Sequence, residues 1–227
     1  MKINQGKSLF CMTIFMVLLL SGIHAFSKEK YKGKAWKGNI QIIPGKIQCE
    51  FYDEGCEGIA FHDADTINSG SGRLNPADGS YLHEFRMNEA VDISFTKFRD
   101  PAIDNNLYNF VEPEKDQLYV GWTSPGEWTK YTVNVRKAGT YQLGIMYTAN
   151  QNGKISISEN DQDLTGLLSI PATFVAADGI AWRQWHHWNY IDKLSLIELK
   201  KGVQTITLHT VEIGQMNYDY LNFTWIK

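Results

Sequence analysis

The chain has 227 residues, with 22 Lys and Arg against 25 Asp and Glu, a formal net charge of −3. A balance on the acidic side lacks the electrostatic footprint of a nucleic-acid binder or of a protein held on an anionic membrane surface. A structural zinc site needs more soft ligands at close spacing than its cysteines provide.

Lys2 and Lys7 precede an apolar run from Leu9 to Ile23, and the small residue Ala25 follows. That order describes a secretory signal peptide over residues 1–25, cut after Ala25. The run is short for a membrane span, and no lipoprotein-type cysteine follows it. The expected product is secreted, periplasmic or on the cell surface, with no membrane attachment after cleavage. Without Lys2 and Lys7 it carries 20 basic against 25 acidic residues, a charge of −5. Cys49 and Cys56 remain, and in an oxidising compartment they either close a small loop as a disulfide or stay as separate thiols. A mature length of about two hundred residues is one that an all-β sandwich reaches as a single domain.

Residues 26–39 contain Lys28, Lys30, Lys32, Lys34 and Lys37 among glycines, which predicts a flexible basic linker. One module is expected over 40–227. Pro44-Gly45 is a turn, and Ile47 to Phe51 is a predicted strand with Ile47, Cys49 and Phe51 on one face and Gln48 and Glu50 on the other. A turn over 53–58 leads to a short strand over 59–63. Gly70, Gly72, Pro76 and Gly79 make 68–80 a loop. Glu89 to Phe95 is a strand, and 98–117 is a polar loop of a length that is usually functional or disordered.

Tyr119 opens the stretch around which the chain is organised. A short apolar strand breaks at Pro125-Gly126, a pair suited to a type II turn. The chain then alternates, with Thr129, Tyr131, Val133 and Val135 against Trp128, Lys130, Thr132 and Asn134. Strands follow from Gly139 (Tyr141, Leu143, Ile145 and Tyr147 on one face), from Gly153 to Glu159, over Val203 to Thr210 and over Asn217 to Ile226. Between them lie a loop over 172–181 and a run through Trp182, Trp185 and Trp188 read as extended, in which His186 and His187 point to opposite faces. No 3.6-residue period is sustained. Many short strands between Gly, Pro and Asn signals predict an all-β sandwich of two antiparallel sheets.

Trp122 sits where a strand meets the turn, a place for either a core plug or a binding platform. On the last strand Asn217, Asp219 and Leu221 are expected to share one face, and Tyr218, Tyr220 and Asn222 the other. Ile47-Gln-Cys-Glu-Phe-Tyr52, Val120-Gly-Trp-Thr-Ser-Pro-Gly-Glu-Trp-Thr-Lys-Tyr-Thr-Val133 and Met216-Asn-Tyr-Asp-Tyr-Leu-Asn-Phe223 stand in that order. Together they resemble the family 6 carbohydrate-binding modules, jelly-roll β-sandwiches appended to secreted polysaccharide-degrading enzymes. Gly179-Ile-Ala-Trp-Arg-Gln-Trp185 is close to a further family motif, with one extra residue after the Gly, and Phe85 to Ile93 looks like a segment of its longer members. The resemblance runs from about Ile40 to the C-terminus.

The resemblance implies non-catalytic binding of a polysaccharide or oligosaccharide. The sugar would lie between the rings of Trp122 and Trp182, with Asn217 bonding its hydroxyls. A pyranose offers an apolar C–H face to an aromatic ring, and an amide both donates and accepts. It also implies a structural calcium ion held by Gln48, Glu50 and Asp219, oxygen ligands that suit a hard cation. Two other classes compete. A small glycoside hydrolase on the same sandwich would need two carboxylates across a cleft, for which Glu127 and Asp92 are available; a cell-surface domain that binds protein is the other. His62, Asp63 and Asp65 are a further metal candidate, in a turn-rich loop where such residues usually face water.

Overall fold

The computed structural model describes residues 32–99 and 102–227. The predicted signal peptide and the first part of the predicted linker lie outside the described residues. In chain order the strands are β1 (Gln41–Ile43), β2 (Gly45–Gln48), β3 (Phe61–His62), β4 (Ser71–Gly72), β5 (Asn75–Pro76), β6 (Ile93–Phe95), β7 (Leu118–Val120) and β8 (Trp128–Val135). They continue with β9 (Gly139–Ala149), β10 (Gly153–Glu159), β11 (Gln162–Asp163), β12 (Leu168–Ile170), β13 (Asn189–Leu199), β14 (Gly202–Glu212) and β15 (Met216–Trp225). One helical turn, α1, spans Tyr81–Glu84.

The strands form two main sheets. One has the order β1-β8-β14-β10-β11, with β12 on β10 and β3 on β8. The other has the order β13-β9-β15-β7-β6, with β2 on β15. Pairing is antiparallel in both except at the edge, where β1 runs parallel to β8. The architecture is a jelly-roll β-sandwich. Its core lies between the sheets because the alternation on facing strands points inward from both sides. Tyr131, Val133 and Val135 of β8, Ile155 and Ile157 of β10, and Tyr141, Leu143, Ile145 and Tyr147 of β9 are all buried in one cluster. A smaller cluster of Tyr119, Met146 and Trp188 covers the outer face of the second sheet. There the 96–117 loop is tied down, with Phe110 N–H and Val111 N–H donating to the Trp188 carbonyl.

Four expectations need correction. The linker does not extend to residue 39, because Lys34 pairs with Glu54 through backbone bonds and a 2.8 Å ion pair, Ala35 is buried, and Trp36 packs against the core. The predicted strand 47–51 ends at Gln48, and Cys49–Phe51 is a 3₁₀ turn. The predicted strand 89–95 is confined to Ile93–Phe95. Of the two alternatives for the cysteines, separate thiols hold: Cys49 is buried, Cys56 is exposed, and both are free. Residues 182–188 are not extended: Ala181–Arg183 is a 3₁₀ turn, and β13 begins only at Asn189.

The last strand departs from simple alternation. Tyr218 pairs with Tyr147 and Tyr220 with Met146, so Asp219 is an extra residue at a bulge. A bulge reverses which parity faces inward. Met216 and Tyr218 face the core before it, and Leu221 and Phe223 after it.

Candidate functional site

The end of the second sheet at the β6–β7 edge carries a cleft of about 510 Å³. Trp122, Trp182, Trp185, Tyr119 and Phe95 supply its aromatic walls. Leu74 and Ile103 add apolar surface, and Ser94, Lys97, Asp104 and His186 the polar atoms. Trp122 and Trp182, 60 residues apart in sequence, both line this one cleft. Trp182 rides on the 3₁₀ turn and is 57% exposed.

The turn that presents Trp122 is held in an unusual backbone state. Trp122 has φ 47°, in the left-handed region, which costs a residue with a Cβ about 1–2 kcal/mol. Asn217 compensates: its Oδ1 accepts the Trp122 N–H at 2.9 Å. Gly121 leaves room beside it: a Cβ there would stand a tight 3.2 Å from that same Oδ1 and 3.3 Å from the Tyr119 ring. Gly70 allows the 68–75 loop to descend onto β6; a Cβ there would overlap the Ile93 carbonyl and touch the Trp122 ring.

Asn217 lies behind the cleft and does not line it. It is fully buried, and its Nδ2 donates to Thr148 Oγ1 at 2.8 Å and to His186 Nδ1 at 3.0 Å. With Nδ1 accepting, the His186 proton is on Nε2, which donates to Asp104 Oδ1 at 2.7 Å. Trp188 Nε1 donates to the same oxygen at 2.6 Å, and the Lys97 N–H to Asp104 Oδ2 at 2.6 Å. One buried relay thus joins the Trp122 turn, the last strand, the 182–188 segment and the 96–117 loop. A second brace holds the turn that carries Trp182. Arg183 binds Asp178 at 2.7 and 3.0 Å, and His187 Nε2 reaches Asp178 Oδ2 at 3.0 Å. The Arg183 guanidinium holds the Asp178 carboxyl well below its ordinary range. His186 and His187 serve different carboxylates and share no ligand.

Sequence reading missed Asp104, Tyr119, Trp185, His186 and Lys97 at the cleft. The cluster of Trp182, Trp185, His186 and Trp188 was the available signal, because that much aromatic and imidazole surface in a turn needs partners.

Gln48, Glu50 and Asp219 gather at a second place, between the β2 end and the β15 bulge. Gln117 Nε2 donates to Glu50 Oε1 at 3.1 Å and reaches Gln48 Oε1 at 3.5 Å. Glu50 and Asp219 are nearly inaccessible, and Glu50 Oε2 and Asp219 Oδ1 have no hydrogen-bond partner. Burial raises the Glu50 carboxyl well above its ordinary range, with repulsion from Asp219 adding to it. Burial likewise pushes Asp219 up to about 7, against the pull of Lys46.

The carboxylates named for hydrolysis lie elsewhere. Glu127 caps loop backbone, accepting from Ser124 N–H at 2.7 Å and Ala64 N–H at 3.2 Å, and Asp92 accepts from Ser69 N–H at 2.5 Å. Neither lines the aromatic cleft. Among the described residues no three His, Cys, Asp or Glu side chains are grouped to hold a metal, which removes the His62, Asp63 and Asp65 candidate.

A model of the carbohydrate binding module (family 6) matches residues 104–227. That span includes Asp104, Trp122, Trp182, His186, Asn217 and Asp219, and leaves Gln48 and Glu50 outside. No curated protein is significantly similar to the chain. Among solved structures, a β-1,3-glucan binding family 6 module from Bacillus halodurans is 14% identical, with 82% of this chain and 99% of that one covered and a TM-score of 0.46. A family 6 module from Clostridium stercorarium in complex with cellobiose is 16% identical, covering 83% and 99%, with a TM-score of 0.45. A family 35 carbohydrate binding module from Clostridium thermocellum is 20% identical, covering 52% and 84%, with a TM-score of 0.40.

Proposed function

The chain belongs to carbohydrate-binding module family 6, and on that premise we propose that it binds its glycan in the aromatic cleft without turning it over. The observation that carries this reading is the convergence of Trp122 and Trp182 on one cleft, each carried on a turn whose backbone or neighbour is braced by buried hydrogen bonds. A sugar ring lies with its C–H face on indole, and Trp185 and Tyr119 extend the apolar wall. Asn217 acts as a positioning residue that presents Trp122 and orients His186. Two stacked faces and a few polar contacts leave much of a sugar in water, so affinities on the order of micromolar to millimolar are expected.

We also propose a structural calcium ion at Gln48, Glu50 and Asp219. Two buried carboxylates, each with an unpartnered oxygen, beside an amide oxygen form a donor set for a hard cation. Such an ion would neutralise charge that burial otherwise penalises. Residues 1–25 would carry the chain out of the cytoplasm. An array of purified glycans tests the main reading when probed with the wild type and Trp182→Ala. Selective retention of the wild type, with the bound oligosaccharides recovered uncleaved, supports it. Cleaved products, or equal retention of the variant, would favour the hydrolase or a different site.

A further inference from the structure

Lys97 lies two residues beyond the end of β6 and stands on the cleft wall. Its side chain is partly buried, and its ammonium lies 5.0 Å from the Phe95 ring centroid. With His186 accepting at Nδ1 and donating at Nε2, Lys97 is the cation among the cleft-lining residues. Among the described residues no carboxylate pairs with its Nζ. Among the described residues Asp104 is the nearby counter-charge, but it is 1% exposed, and both its oxygens already accept bonds from His186, Trp188 and the Lys97 backbone. Loss of water on burial lowers the Lys97 ammonium below its ordinary range, and Asp104 offsets only part of this. The cleft therefore presents a partly dehydrated positive charge to whatever enters between its tryptophans.

Resting on the reading that this cleft binds sugar, we propose that its ligand is an anionic sugar and that Lys97 receives the acidic group. An anion there restores the hydrogen bonds the ammonium lost on burial, and the surrounding rings keep water from screening the pair. A uronic acid carboxylate and a sulfate ester share this chemistry.

Titration calorimetry with matched probes tests the proposal on the full chain. One pair is tetragalacturonate and its methyl ester; the other is a sulfated galactan tetrasaccharide and its desulfated form. At least one anionic probe should bind about tenfold or more tightly than its neutral partner, as charge-assisted bonds imply. The preference should shrink as salt is raised, vanish in Lys97→Gln and return in Lys97→Arg, with all three proteins melting alike. Which pair responds identifies carboxylate or sulfate. Neutral partners binding as tightly, or a preference unchanged in Lys97→Gln, would overturn the proposal and leave the sugar site standing. If a broad array of charged and neutral glycans gives no binding at all, the sugar reading falls, and this proposal with it.

Discussion

Asn217 shows how a residue near a ligand site can act through another. Its three side-chain bonds go to the Trp122 N–H, Thr148 and His186, all on protein, and it is wholly buried. Asn217→Ala would strand these partners without water, which on the scale of unsatisfied buried groups costs about 3 kcal/mol. The variant should therefore melt clearly lower as well as bind sugar weakly, because the left-handed Trp122 turn loses its acceptor. A variant that melts like the wild type while losing binding would mean that Asn217 meets the ligand directly. The amide's place at the start of the last strand was legible in the sequence, but its partners were not. They come from segments 31, 69 and 95 positions away, and no local pattern encodes such contacts.

At the scale of elements, the long strands were legible and the irregular ones were not. β8 buries every second residue because its two faces meet different surroundings, and the sequence alternates accordingly. β15 alternates as well, but the bulge at Asp219 exchanges its faces midway, an event that polar–apolar order alone does not mark. The same bulge places Asp219 near the 3₁₀ turn that carries Glu50. If calcium sits there, chelator should lower the melting temperature, since an ion bound only to the native state stabilises it. Asp219→Asn sharpens the test. It removes one of two buried, mutually repelling carboxylates, so in chelator it should melt above the wild type and no longer respond to added calcium. A wild-type melt indifferent to both chelator and calcium would contradict the assignment.

At the scale of the whole molecule, the sandwich separates two environments: an aromatic cleft on one sheet edge, and a group of loop-capping carboxylates around β8. Burial pushes Asp63 and Asp92 up to about 6 and Glu127 up to about 7; repulsion from Asp65 and Glu57 adds to Asp63, from Asp63 and Asp65 to Asp92, and from Asp63 and Asp92 to Glu127. Their folded values lie above the unfolded ones, so the unfolded chain ionises first as pH rises. Their contribution to stability is greatest at the acid end and falls between about pH 4 and 7. His209, lowered by burial, acts in the opposite sense below its ordinary value. The cleaner readout is therefore the gap in melting temperature between Glu127→Gln and the wild type. Whatever constant offset the lost acceptor brings, that gap should move in the variant's favour as pH rises from 5 to 7.5; a gap that does not change with pH would contradict the raised value. None of this chemistry faces the cleft, where the claim about function rests. Trp182 is 57% exposed on a turn braced independently by Asp178 and Arg183, so its ring can be removed with the fold intact. Calorimetric titration of the wild type and Trp182→Ala, with the tightest oligosaccharide from the array, measures the central claim directly. Equal melting temperatures and a loss of more than about tenfold in affinity are expected for the variant; equal affinities in the two proteins would mean that the sugar does not bind on Trp182.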